Sequence, residues 1–109
     1  MEKHIDIEYN KNEMIIKILD TDVSSRSNAR VVREMIISHL DSNKQDNVLI
    51  DIRNVLMMSN SYADELFGVI VKDSSLEFLT KNIILIKDPN QDDVLSSIIK
   101  AISRRNDER

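Results

Sequence analysis

The chain has 109 residues, with 19 acidic against 15 basic side chains, a net charge of −4 and a sequence pI of about 5.1. That length suits one domain, a single core of about four strands and three helices, while the acidic balance argues against a nucleic-acid or membrane-surface binder, which needs a basic face. The absence of cysteine excludes disulfides, zinc–thiolate sites and cysteine nucleophiles, and a single glycine, Gly68, excludes the glycine-rich loops that cradle phosphates.

The amino terminus, MEKHIDIEYN, is charged and alternating. It holds no apolar core of signal-peptide length, and no run reaches the ~18 apolar residues of a membrane span. Cytoplasmic location is the expectation.

Residues 4–9 alternate, with Ile5, Ile7 and Tyr9 on one side and His4, Asp6 and Glu8 on the other, which predicts a half-buried strand. Asn10-Lys11-Asn12 reads as the turn of a hairpin, because asparagine accepts the positive backbone angles that a tight turn needs. Residues 13–19, rich in isoleucine, form its second strand. Beyond Asp22 the period changes. Ala29, Val32, Met35, Ile36 and Leu40 mark an amphipathic helix, with Ser24, Ser25 and Ser27 as caps on offer.

After a polar loop over 41–47, the apolar run 48–52, broken only by Asp51, predicts a strand buried on both faces. The turn Met57-Met58-Ser59-Asn60 leads into a second helix. Ser61 is read as its cap, paired with Asp64 as a capping box, and Ala63, Leu66, Phe67 and Ile70 supply the buried face. Of Met57 and Met58, one is assigned to the core and one to a docking rim. Gly68 is read as permitting close packing of helix on sheet. Residues 83–86 form a further strand, and Asp88-Pro89-Asn90-Gln91 a helix start with Asp88 as cap. Val94, Leu95, Ile98, Ile99 and Ile102 make the last stripe, and 104–109 a frayed tail. The fold class is thus α/β, a four-stranded mixed sheet in the order β-β-α-β-α-β-α, with each crossover joining parallel strands.

Local chemistry is sparse. His4 and His39 lack ligand spacing and read as structural, as do the acidic pairs Asp20/Asp22 and Asp92/Asp93, so neither metal nor cofactor is expected. Arg26, Arg30 and Arg33 recur at helical spacing. Arg26 and Arg30 are candidate anion-binding residues, weighed against a solvated stripe paired with Glu34. Ser59 and Ser61 are the candidate phosphoacceptors: a phosphate there would meet the positive end of a helix, opposed by Asp64 and Glu65.

The segments Val48-Leu49-Ile50-Asp51-Ile52 and Ser59-Asn60-Ser61-Tyr62-Ala63 resemble STAS domains, known from bacterial anti-sigma factor antagonists, in which a strand ending in Asp precedes an Asp-Ser-Ser-Gly-Leu helix start. Ser25-Arg26, the Asp51 strand and Tyr62-Ala63-Asp64-Glu65-Leu66-Phe67-Gly68 are more closely similar to a STAS-like family of uncharacterised bacterial proteins. By position, Asn60 replaces the serine phosphorylated in antagonists, Ser59 the acid before it, and Tyr62 the glycine. The resemblance implies a STAS-like sheet and a non-enzymatic regulatory domain that docks on a histidine-kinase-like ATPase. The docking residues are expected to be Asp51, Met58, Asn60, Tyr62, Asp64 and Glu65, with serine phosphorylation as a switch. Two other readings stand beside it: a nucleotide or small-anion sensor at the start of the second helix, and a homodimer built on the edge of the first hairpin.

Overall fold

The computed structural model describes residues 3–109. Strands β1 (Ile5–Asn10) and β2 (Glu13–Ile18) form the hairpin, and Asn12 takes φ 67° in its turn, a left-handed conformation that asparagine tolerates. A two-residue strand β3 (Asp22–Val23) precedes α1 (Arg26–Ser42), whose cap is Ser25, accepting the Asn28 N–H at 3.2 Å. The chain continues through β4 (Asn47–Asp51), the short β5 (Met57–Met58) and α2 (Asn60–Ala63). A π-helical segment, Asp64–Gly68, follows and runs on without a break into α3 (Val69–Asp73). Then come α4 (Leu76–Asn82), β6 (Ile83–Ile86) and α5 (Asp92–Asp107).

The main sheet has the order β1-β2-β4-β6, antiparallel at β1–β2 and parallel at β2–β4 and β4–β6, as a hairpin followed by two crossovers requires. Met14, Ile16, Ile18, Val48, Ile50 and Ile83 share its inner face, where they join Ala29, Val32 and Ile36 of α1, Phe67 and Ile70, and Val94 and Ile98 of α5 in one core. The outer face carries Glu8, Ile15, Leu49 and Ile84 in register and stays partly open to solvent. The strand β4 is therefore not buried on both faces as its apolar run suggests: Val48 and Ile50 are buried, whereas Leu49, on the outer face, is half-buried.

Three further differences from the sequence reading have physical causes. A second, two-stranded parallel sheet, β3–β5, ties the exit of β2 to the loop after β4. Two residues per strand leave no periodicity to detect. Asp88 does not cap α5. Gln91 occupies the cap position, and its buried side chain accepts the Asp88 N–H at 2.8 Å and donates to the carbonyls of Ile52 (2.7 Å) and Val55 (2.8 Å). Residues 104–109 are not a frayed tail. The helix runs to Asp107, Arg105 holds Asp64, and Arg109 donates to the carbonyls of Val71 (2.8 Å) and Lys72 (2.9 Å). Among the described residues no helix is long and apolar enough to cross a membrane.

Candidate functional site

The loops that follow the parallel strands β2 and β4 meet at one end of the sheet, the end where ligands and partners of open α/β sheets commonly bind. Asp51 closes β4. Its carboxylate accepts from the Arg53 backbone N–H at 3.1 Å and from the Arg53 guanidinium at 3.0 and 2.9 Å, and this pairing holds it below the usual carboxylate range despite burial. The loop then turns over Val55, fastened from beneath by Gln91 and from the side by Thr21, whose carbonyl accepts the N–H groups of Leu56 (2.7 Å) and Met57 (3.0 Å). So constrained, the loop leaves Leu56 72% and Met57 63% exposed while Met58 is buried. Of the two methionines, Met58, the one expected to dock, is in the core, and Met57 is exposed.

Ser59, not Ser61, caps the second helix. Its Oγ accepts the Tyr62 N–H at 3.0 Å and donates to the Ser24 carbonyl at 3.3 Å, and its backbone N–H donates to the Val23 carbonyl at 2.9 Å. The starts of α1 and α2 therefore lie side by side, joined through Ser59. The capping box with Asp64 does not form. Asn60, exposed, and Ser61, half-buried, occupy the first turn, and the Ser61 hydroxyl makes no hydrogen bond among the described residues.

Five of the six expected docking residues are buried: Asp51, Met58, Tyr62, Asp64 and Glu65. Their side chains hold the end of the sheet in shape and do not form its outer surface. Only Asn60 stands at the surface. Leu56 and Met57 are the exposed apolar neighbours.

The buried acids have a specific office. Asp64, 3% exposed, accepts a two-pronged bond from Arg105 (2.8 and 2.8 Å) and one from Arg26 (3.1 Å). Glu65, 7% exposed, accepts from Arg26 (3.0 Å), Arg30 (3.4 Å) and Arg33, and Arg33 also donates to the Glu65 backbone carbonyl at 2.7 Å. Arg105 above all holds Asp64 below the usual carboxylate range, and Arg33 does the same for Glu65. Both acids thus stay ionised inside the protein. The arginines paired with these acids offset their negative charge. Arg26 and Arg30 lie against the π segment, one helical turn beyond the helix start where an anion was anticipated.

Sequence reading also passed over a chain of polar side chains beneath the site. His4 Nδ1 lies 2.7 Å from the Asp20 carboxylate and His4 Nε2 2.7 Å from the Tyr62 hydroxyl, the two rings meeting edge to face. Burial raises the Tyr62 hydroxyl well above its ordinary value, so it remains a neutral hydrogen-bonding group. His4, Asp20 and Tyr62 come from three places in the chain, and no spacing could join them. The arginine repeat is the one signal of the acid cluster in the sequence, and its partners, Asp64 and Glu65, lie more than 30 residues away along the chain. Among the described residues no group of three or more His, Asp or Glu side chains is gathered as metal ligands would be.

A family model described as "STAS-like domain of unknown function (DUF4325)" matches residues 28–93, from the first helix into the last. No curated protein matches the sequence.

Proposed function

The chain belongs to the STAS-like domain family, whose model spans more than half of it, and we propose that it acts as a non-enzymatic regulatory module that docks on a protein partner. The docking surface is the rim formed by Leu56, Met57 and Asn60. The observation that carries this reading is the exposure of Leu56 and Met57 on a loop tied down by Gln91 and Thr21. An apolar pair held rigidly at the surface loses little conformational entropy on binding, and methionine adapts its shape to a partner. The partner is a histidine-kinase-like ATPase of the kind that STAS antagonists engage, and the module works in the cytoplasm.

Ser61 is the hydroxyl at which a phosphate would switch this surface. Ser59 is committed to capping and to the Ser24 carbonyl, whereas Ser61 stands in the first turn with Asp64 and Glu65 three and four residues on. Arg26, which contacts both acids, is the guanidinium that a new negative charge on Ser61 would engage.

Affinity purification of the tagged chain from its host, with mass spectrometry of co-purifying proteins and of its own peptides, tests the reading. An ATPase partner is expected, lost in a Leu56→Ser/Met57→Ser variant that melts like the parent. Phosphate on Ser61 would establish the switch, and its absence would make the module a constitutive adaptor. Recovery of the chain alone, or capture indifferent to the double substitution, would overturn docking through this rim.

A further inference from the structure

We propose that the face of α1 carrying Arg26 and Arg30 recognises an acidic polypeptide segment of the docked partner. The proposal rests on the docking reading and adds the chemistry of what is docked. Four guanidinium groups, those of Arg26, Arg30, Arg33 and Arg105, surround the two carboxylates of Asp64 and Glu65, which leaves two positive charges over. Glu108, 3.6 Å from Arg105, takes up one of these at the α5 end. The remaining excess sits with Arg26 and Arg30, the outermost of the four, whose side chains are 46% and 54% exposed. This stands out in a chain of net charge −4.

These two arginines are also underused. Each guanidinium has five N–H donors. Arg26 spends only Nη1 on the two acids, and Arg30 only Nε. What remains is a pair of planar donor sets one helical turn apart, held in place from behind by the buried acids and shaped to take carboxylates two-pronged. Fixing a guanidinium in advance lowers the entropy lost when it binds.

The surroundings favour a polypeptide over a nucleotide. Through Ser59, which bonds to Val23 and Ser24, the arginine face continues into the exposed Asn60 and the Leu56–Met57 rim, so that apolar and basic elements share one surface. Among the described residues no aromatic ring lies exposed beside these arginines for a base to stack on: Tyr62 is buried, and the exposed Tyr9 lies beside His39. A groove of about 490 Å³ lies elsewhere, between Tyr9 and α1 residues 31–42.

An NMR titration of the full chain decides the matter, with a synthetic Asp/Glu-rich dodecapeptide as ligand and a Lys-rich peptide and ATP as comparisons. The acidic peptide should shift the amides around Arg26, Arg30 and Asn60, more weakly as salt is added, and the Lys-rich peptide should shift none of them. Arg30→Glu should weaken the acidic peptide by about tenfold and Arg30→Gln by less. Arg30 makes a single long bond to Glu65, so Arg30→Gln in particular should keep the parental melting point. Shifts that fall elsewhere, binding indifferent to both substitutions, or tighter ATP binding at the same arginines would overturn the proposal. Partner capture sensitive to Leu56 and Met57 but indifferent to Arg30 would sink this inference and leave the docking reading standing. Peptide binding at Arg30 with no partner retrieved through the rim would do the reverse.

Discussion

Asp64 shows how one residue governs this site. A carboxylate buried to 3% exposure is tolerated because Arg105 and Arg26 together donate three bonds to it. Asp64→Asn keeps the shape and removes the charge, leaving Arg105 facing a neutral group. The expected cost is on the order of 3 kcal/mol, read from urea unfolding at neutral pH. The pH dependence follows from sign. Asp64 and Glu65 have folded-state pKa values depressed below the ~4 of unfolded carboxylates. Their contribution is therefore full above that value and is lost as pH falls through the lower folded-state values. The urea midpoint of the parent should fall steeply below about pH 4, and that of Asp64→Asn should fall less. Parallel pH profiles would show that Asp64 is not among the groups responsible.

At the scale of elements, the feature that organises the site is the π-helical segment between α2 and α3. Such segments are rare, occur mostly as single turns within α-helices, and are frequent at functional sites. It carries the consecutive acids Asp64, held by Arg105 of α5 and Arg26 of α1, and Glu65, held by Arg26, Arg30 and Arg33 of α1. Gly68 closes the segment for a packing reason, against α5 and not, as the sequence suggested, against the sheet. A Cβ at this position would lie 2.5 Å from Asp64 Oδ1, 3.0 Å from Arg105 Cγ and 3.3 Å from the Ala101 carbonyl. Alanine is favoured over glycine in a helix by about 1 kcal/mol, but Arg105 clamps the carboxylate that would have to move. Gly68→Ala should therefore destabilise, by about 1–3 kcal/mol in thermal or urea melts, and a gain in stability would refute this account of the segment.

The whole molecule is closed by its C-terminal helix. α5 packs Val94, Ile98 and Ala101 into the core; its cap Gln91 fastens the loop after β4, its Arg105 reaches Asp64, and Arg109 just beyond its end reaches the carbonyls of α3. The last residues are thus part of the fold, although their composition alone suggested fraying. Truncation after Ser103 removes Arg105 and Arg109 together with Arg104, and leaves Asp64 with Arg26 as its remaining guanidinium. The truncated chain should lose about 3 kcal/mol or more against urea, comparable to Asp64→Asn, because both break the same buried pair. An unchanged midpoint would return the tail to the status of a solvated appendage.

By itself the sequence determined the parts of this protein that depend on local periodicity. The alternation of 4–9 and the stripe Ala29, Val32, Met35, Ile36 and Leu40 state where strand and helix lie, because one face of each must leave water, and a helix between two strands brings them together parallel, as observed. The family, too, was legible in segments that keep their order along the chain. Only the tertiary structure decided which of those segments face outward. Asp64 and Glu65 look like solvent-facing charges in the first turn of a helix, and nothing within several residues of either announces Arg26, Arg30, Arg33 or Arg105. Their burial is stable only because groups 32 to 41 residues distant in sequence arrive together. Likewise Ser59 becomes the cap, in preference to Ser61, because Val23 and Ser24 meet it from another strand's exit. Periodicity records how a residue relates to its neighbours along the chain, whereas the charge balance and exposure of a site are set by the groups that folding brings to it.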